Sequence, residues 1–255
     1  MSNKPYLSVI IPSYNEMKNL KNGVLEEVVS YLKKQAYAWE VILTDDGSDD
    51  GTVKKLQQFA NKYPRVKVLE NIHAGKGPTV KAGMLAAQGE WCLFTDFDQS
   101  TPLVEIEKLW PRIEQNYEVI IGSREMVGSV RGKEPWYRHL MGRGFNILVQ
   151  VLAMPGILDT QCGFKLFSAK ASKLLFNSLH IYGQQEQRGD AFTGAFDVEL
   201  LFLAKKYNFK ISEVPIEWHH RESDRVDPIK DSLRMLRDII WIRLTDLKGK
   251  YKTTP

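Results

Sequence analysis

Residues 7–16 read Leu-Ser-Val-Ile-Ile-Pro-Ser-Tyr-Asn-Glu, residues 40–46 read Glu-Val-Ile-Leu-Thr-Asp-Asp, and residues 91–98 read Trp-Cys-Leu-Phe-Thr-Asp-Phe-Asp. Each is a short apolar run that stops in polar, turn-forming residues. Between them lie segments with helical spacing: Met17 to Gln35, with Leu20, Val24, Val28 and Leu32 in register, and about Thr52 to Tyr63. Val66 to Leu69 then precedes a Gly-rich turn and a helix to about Ala87, and Val119 to Ile121 adds a further run. Short buried strands alternating with helices predict βαβ units and an α/β fold with a mostly parallel sheet flanked by helices. Right-handed crossovers place those helices on both faces. Ligands in such sheets bind beyond the carboxyl ends of the strands. The acidic strand ends at Ser13 to Glu16, Asp45 to Ser48 and Asp96 to Asp98 therefore converge on one rim.

The second half is less regular. Gly122 to Pro135 reads as a loop, Trp136 to Ala153 as a helix and Gly163 to Phe167 as a strand. Gln184 to Gly189 is a polar insertion of the kind found in surface loops. Phe196 to Tyr207 is patterned as an amphipathic helix, Ile211 to Trp218 as a strand, and Ile229 to Leu247 as a long helix. No repeat or clean linker interrupts the chain. The expected organisation is one continuous domain over 1–226, followed by a C-terminal amphipathic helix and basic tail over 227–255.

Composition narrows the class. At about 150 residues per domain, 255 residues make one large domain or two small ones. Hydrophobic residues at 43% and charged residues at 26% fit a globular chain and exclude a disordered tail protein. Two cysteines, Cys92 and Cys162, exclude a disulfide scaffold. Lys plus Arg at 35 against Asp plus Glu at 31 gives +4, too little to argue for a nucleic-acid partner. No run of about 18 uncharged apolar residues predicts a membrane-spanning helix; the nearest, Phe145 to Leu158, contains Asn146, Gln150 and Pro155. The first strand begins almost at the N-terminus and leaves no room for a signal peptide. The expectation is a cytoplasmic chain or one peripheral on the cytoplasmic membrane face.

Several residue groups could carry chemistry. Asp96 and Asp98, alternate residues at a strand end, can turn both carboxylates toward one hard cation, Mg²⁺ or Mn²⁺, with phosphate oxygens completing its shell. As plain structure, Asp98 complements the dipole of a helix beginning at Ser100-Thr101-Pro102. A tight turn and helix cap explain much of Asp45 to Thr52, but not two like charges ending an apolar strand; a nucleobase or ribose would account for Asp46. Tyr14 offers a face for a base and Glu16 an acceptor for a ribose hydroxyl, whereas Asn15 reads equally as a helix cap. Ala74-Gly-Lys-Gly77 places the Lys76 cation and bare backbone at a helix start, suited to a phosphate. The full P-loop spacing and the G-x-G-x-x-G fingerprint are both missing, which argues against Walker-type ATP chemistry and NAD. Cys162 reads as a packing residue, and the neighbours His219 and His220 point to opposite faces of a strand, so they are not joint metal ligands.

Taken in order, IIPSYNE (10–16), DDGSDDGT (45–52), the Asp-x-Asp of FTDFDQSTP (94–102) and GSRE from Gly122 resemble glycosyltransferase family 2 with the GT-A fold. DTQCGFKLF (159–167) and AFDVELLFLA (195–204) resemble its dolichyl-phosphate β-glucosyltransferase branch, whose sister is the dolichyl-phosphate mannose synthases. The resemblance implies an inverting hexosyl transfer from a nucleotide-sugar donor to a polyprenyl phosphate, dolichyl or undecaprenyl. It places Pro12, Tyr14, Glu16 and Asp46 at the nucleoside, and Asp96, Phe97 and Asp98 at the diphosphate and its metal. Arg124 and Arg138 match positions that grip the acceptor phosphate, and Arg221 and Arg225 match basic residues near the donor diphosphate. The mannose synthases place a metal-binding Gln two positions after the second Asp; here that position is Ser100, with Gln99 beside it. Asp197 takes a positioning role or caps its helix. The QCGFKLF stretch favours UDP-glucose over GDP-mannose. The alternatives are a soluble sugar or glycerate acceptor, GDP-mannose-dependent mannosyl transfer, and a catalytically silent nucleotide-binding module.

The C-terminal helix bears on the acceptor. Leu233, Leu236, Ile240 and Leu244 share one stripe, with Ile239 and Leu247 adjoining and Lys230, Arg234, Arg237, Arg243 and Lys248 along its borders. Such a helix either lies in a membrane interface or packs on the core.

Overall fold

The computed structural model describes residues 4–132, 154–183, 195–220 and 228–251. In chain order the strands are Leu7–Ser13 (β1), Trp39–Asp45 (β2), Val66–Glu70 (β3), Trp91–Thr95 (β4), Val119–Ser123 (β5), Val130–Arg131 (β6), Phe164–Ser168 (β7), Ile211–Pro215 (β8) and Glu217–Trp218 (β9). The helices are Met17–Lys21 (α1), Val24–Leu32 (α2), Thr52–Ala60 (α3), Lys76–Ala86 (α4), Trp110–Glu114 (α5), Ala169–Ser178 (α6), Phe196–Lys206 (α7) and Pro228–Leu247 (α8), with a 3-10 segment at Leu103–Lys108.

Seven strands form one sheet in the order β3-β2-β1-β4-β7-β5-β8, and β6 pairs with β9 beside it. Four of its six neighbouring pairs are parallel; β7 runs antiparallel to both β4 and β5. The mostly parallel α/β architecture read from the sequence is the one observed. Alternation along β1 divides the core. Leu7, Val9 and Ile11 join Leu25, Val28 and Leu56 on one face of the sheet, while Ile10 joins Val80 and Met84 of α4 on the other. The strand order reverses at β1, which has β2 on one side and β4 on the other. In an open sheet that switch point opens a crevice at the carboxyl ends, here those of β1, β2 and β4.

Several expectations are corrected. The single helix over 17–35 is two, because Asn22 and Gly23 break it and Gly23 takes a left-handed φ of 75°. Gly122 and Ser123 extend β5, and Val130–Arg131 forms β6, where a continuous loop was expected. Helix α6, unassigned from the sequence, starts at Ser168, whose side chain accepts from the Ala171 amide. Helix α7 is not amphipathic: Phe196 through Ala204 are all buried, because α8 and Tyr251 cover its outer side. Tyr251 Oη donates to Glu199 Oε1 at 2.7 Å, and its ring lies 6.0 Å from that of Phe202. The expected helix over 136–153, the insertion at 184–189, and Arg138, Arg221 and Arg225 lie outside the described residues. Among the described residues no helix is long and apolar enough to cross a membrane.

Candidate active site

The rim is built first by the two aspartates ending β2. Asp45 is fully buried; its Oδ1 accepts from the Ser48 amide at 2.7 Å, and its Oδ2 accepts from Ser13 Oγ and Ser48 Oγ at 2.8 and 2.7 Å. Asp46 faces the other way and is 4% exposed. Its carboxylate accepts from the amides of Ala74 and Gly75 and from Thr79 Oγ1, and it lies 2.8 Å from His73 Nδ1. Each charge therefore has its own donor set, which resolves the apparent repulsion between them. The same bonds narrow a second expectation: of the backbone around the start of α4, the Ala74 and Gly75 amides already serve Asp46. An anion there would meet the Lys76 ammonium and not those two amides.

The loop after β1 locks onto this frame. Asn15, at a left-handed φ of 52°, does not cap α1; Glu16 holds that position, and Asn15 Oδ1 accepts instead from the Asp49 amide at 3.0 Å. Glu16 is mostly buried, and its Oε2 accepts from Asn19 Nδ2 at 2.6 Å. Pro12 and Tyr14 are half-buried on the rim. The Tyr14 ring stacks on His73 with centroids 4.2 Å apart and planes 7° apart, so one of its faces is already covered. Gly47 makes that approach possible, since a Cβ there would lie 2.8 Å from the His73 amide nitrogen.

The end of β4 is different in kind. Phe97 turns into the core with Leu103, Ile106 and Cys162 and is 3% exposed, so its side chain is not at a diphosphate position as the resemblance implied. Asp96 and Asp98, in the turn that follows β4, lie close enough for the charge of Asp96 to act on Asp98, with Lys76 beside them. The Asp96 side chain is 36% exposed, and Lys76 Nζ lies 2.6 Å from its Oδ1. Asp98 Oδ1 accepts from the Ser100 amide at 2.9 Å. The 3-10 segment begins only at Leu103, so Asp98 is not the cap of a helix opening at Ser100. Burial, and then the charge of Asp96, push the Asp98 carboxyl above its ordinary range. Burial would depress Lys76, but Asp96 and then Asp197 outweigh it and hold its ammonium above the usual value. Gln99 secures the turn: its Nε2 donates to the Asp96 carbonyl at 2.8 Å and to Thr95 Oγ1 at 3.2 Å, while its backbone holds a left-handed φ of 49°.

Residues 159–165 run behind this rim and tie its parts together. Asp159, fully buried, receives Arg124 in a fork, Nε to Oδ2 at 2.8 Å and Nη2 to Oδ1 at 2.9 Å, with the Arg124 amide adding a third bond. Burial alone would raise the Asp159 carboxyl, but the guanidinium holds it down to about 2. Two of the five N–H groups on Arg124 are spent in the fork, and its guanidinium carbon lies 5.5 Å from the Trp218 ring centre. Cys162 is buried, and burial pushes its thiol up to about 12, which suits packing and not nucleophilic attack. The Asp96 amide donates to the Gly163 carbonyl at 3.1 Å, and any Cβ on Gly163 would collide with the Asp96 carboxylate. Lys165, with no exposed surface, donates to the Cys162 carbonyl and pairs with Asp197 Oδ1 at 2.5 Å. Asp197 lies in the first turn of α7, one residue past Phe196, and Ala195 holds the cap position. It is thus an ion-pair partner and not a cap; burial lifts its carboxyl against the pull of Lys165 and Lys76.

A family model described as "Glycosyl transferase family 2" matches residues 8–176. A dolichyl-phosphate beta-glucosyltransferase of Dictyostelium discoideum is 35% identical over 97% of this chain and 76% of its own length. The chain belongs to glycosyltransferase family 2. Solved structures share the fold: a mannosyl-3-phosphoglycerate synthase from Rubrobacter xylanophilus superposes with a TM-score of 0.63 over 98% of this chain and 77% of its own, at 16% identity. A glucosyl-3-phosphoglycerate synthase from Mycobacterium tuberculosis, solved with Mn²⁺, UDP and glucosyl-3-phosphoglycerate, gives 0.58 over 98% and 81%, at 17% identity. The relatives at 33–35% identity carry one activity, and this family 2 chain is a hexosyltransferase.

Within this family 2 chain, sequence reasoning gave no role to His73, Asp159 and Lys165, and set Gln99 beside a metal-ligand position without its part in holding the turn. Lys165 carried a usable signal, a lone charge inside the apolar run Phe164 to Phe167. Asp159 stood at the head of the quoted DTQCGFKLF stretch, but its partner and that of His73 could not be read, because they are 35 and 27 residues away in sequence.

Proposed function

We propose that the chain moves glucose from UDP-glucose to dolichyl or a related polyprenyl phosphate, with inversion at the anomeric carbon. The observation that carries this reading is the rim at the β1–β4 switch point, where Asp96 and Asp98 lie beside Lys76 in a chain 35% identical to named dolichyl-phosphate beta-glucosyltransferases. Pro12, Tyr14 and Glu16 would meet the nucleoside, with Asp46 acting through the loop it anchors. The donor set fits a hard divalent cation: two oxygen ligands on alternate residues repel each other, and a single ammonium neutralises only one charge. Asp96 and Asp98 would hold Mg²⁺ or Mn²⁺, which when bound supplies a Lewis acid at the leaving diphosphate. Among the described residues no three His, Cys, Asp or Glu side chains form a complete cage, which leaves the other positions to phosphate oxygens and water.

An acceptor phosphate oxygen attacks C1 of the hexose from the face opposite the diphosphate. The C1–O bond breaks, and its electron pair leaves with the diphosphate. With a second pKa of about 6, a phosphate monoester is already largely dianionic near neutral pH, so no side chain has to remove a proton. The protein's task is to align two anions and receive charge. Lys76 meets the donor side, with Arg221 and Arg225 assigned there too. Arg124, fixed by Asp159, and Arg138 meet the acceptor phosphate. Asp197 serves as a positioning residue, since Lys165 already holds its carboxylate. The catalytic part spans 1–226, and an acceptor of this class puts the reaction at the cytoplasmic face of a membrane, with 227–255 available for contact.

Radiolabelled UDP-glucose supplied with Mn²⁺ and dolichyl phosphate tests the reading. Label passing into an organic-extractable product that mild acid cleaves is the expected result. Label passing to 3-phosphoglycerate and not to the lipid would overturn it.

A further inference from the structure

Helix α8 has two apolar sides, and among the described residues only one is covered. Ile239 and Ile242 are fully buried against the core, and Asp238 beside them is 4% exposed and accepts from Tyr182 Oη. Of the stripe read from the sequence, Leu236 is half-buried, while Leu233, Ile240 and Leu244 face outward at 65%, 47% and 45% exposed and the adjoining Leu247 at 81%. Their spacing of seven, four and three residues keeps them on one line along about 20 Å of helix. Trp241, 53% exposed, widens the stripe. Half of the exposed large apolar side chains among the described residues, five of ten, thus sit on this one element.

The charges around the stripe choose its occupant. Arg234, Arg237 and Lys248 lie on one flank and Arg243 on the other; the Arg237 guanidinium carbon is 5.3 Å from the Trp241 ring centre. Of the acidic side chains in the described part of α8, Asp238 faces inward to Tyr182 and also receives Arg237 Nη2 at 3.2 Å, and Asp246 pairs with Lys206 at 2.5 Å. The presented surface is apolar at its centre, basic at its margins, and carries an amphipathic indole beside an arginine. That pattern matches the boundary between acyl chains and anionic headgroups, where aromatic rings and basic side chains settle.

We infer that the outward stripe of α8, Leu233 to Leu247 with Trp241, docks the protein on an anionic lipid surface, lying in the interface without crossing it. The choice of a membrane rests in part on the polyprenyl-phosphate reading above; the stripe and its charges stand apart from it. The buried side of the same helix is tied through Asp238 to Tyr182, whose Oη also accepts from the Ala195 amide at the start of α7. Docking would therefore hold the Asp197 end of the site at a fixed height above the lipid.

The test uses the full chain, phosphatidylcholine vesicles with or without phosphatidylglycerol, and the double variant Ile240→Glu/Leu244→Glu. The wild type should float with anionic vesicles, weakly with neutral ones, and less as salt rises; the variant should bind at least about tenfold more weakly. Both should turn over a short, water-soluble polyprenyl phosphate equally, which shows that the variant is folded. No binding by the wild type, binding indifferent to phosphatidylglycerol, or an unchanged variant overturns the inference. So does a wild-type dimer in sedimentation that the variant dissolves, since the stripe then covers a second copy. A wild type that floats as expected but glucosylates neither lipid acceptor leaves the docking surface standing and removes the acceptor assignment instead.

Discussion

Two pairs of aspartates end β2 and β4, the parallel strands on either side of β1, and the protein treats them oppositely. Asp45 and Asp46 are buried and saturated by amides and hydroxyls. Asp96 and Asp98 stand nearer solvent, crowd each other, and have Lys76 as their close cation. A carboxylate whose donors are all protein groups is part of the frame. One held in a repulsive pair has free energy to gain from a ligand, and that difference separates scaffold from site more surely than acidity does.

The sharpest way to break the comparison is Asp98→Asn. Turnover should fall by about a thousandfold, several kcal/mol of transition-state stabilisation, while the thermal midpoint stays level or rises because a like-charge repulsion is gone. Steady-state kinetics and calorimetry on one preparation would read both. Near wild-type turnover would place Asp98 with the frame. Asp46→Ala should do the reverse. Stranding the Ala74 and Gly75 amides and the Thr79 hydroxyl should cost roughly 3 kcal/mol in denaturant unfolding, with the effect on turnover reached only through the loosened loop.

Acid probes the frame as a class. Asp159 is held down to about 2 in the folded protein, below its unfolded value of 3.8. Its pairing with Arg124 therefore stabilises the fold fully above about pH 4 and is lost as pH falls toward 2, a contribution of about 2 kcal/mol. Unfolding free energy measured across that window should fall more steeply for the wild type than for Asp159→Asn. The smallest effect is expected at Gln99. Replacement by Gly relieves a left-handed residue, worth about 1 kcal/mol, but removes the bonds to the Asp96 carbonyl and Thr95, at a similar cost. Stability should therefore hardly change while turnover falls roughly tenfold. A variant both more stable and fully active would make Gln99 mere strain.

Much of this was legible in the sequence, for identifiable reasons. The apolar runs at Leu7, Glu40 and Trp91 are buried along nearly their whole length, so their patterning left little choice but a parallel sheet, and their polar ends marked the rim. Val66 starts an edge strand that is covered only in part. The antiparallel direction of β7 was not readable, because its run Phe164 to Phe167 looks the same in either sense. The break at Asn22–Gly23 was hidden by an apolar period that continues past it. At the site, spacing located Asp96 and Asp98 but could not reveal which aspartates find internal donors. That depends on the Ala74–Gly75 backbone and on Arg124, which approach from distant parts of the chain. In α8 the period was correct and the direction was open: the strongest stripe points away from the core, which Ile239 and Ile242 fill instead.

The most direct test of the account is anomalous diffraction at the manganese edge from a crystal soaked with UDP-glucose and Mn²⁺. The account predicts one strong peak on the carboxylates of Asp96 and Asp98, with Lys76 released from Asp96 toward the diphosphate. Nucleotide density with no peak there, and Lys76 still paired with Asp96, would contradict it.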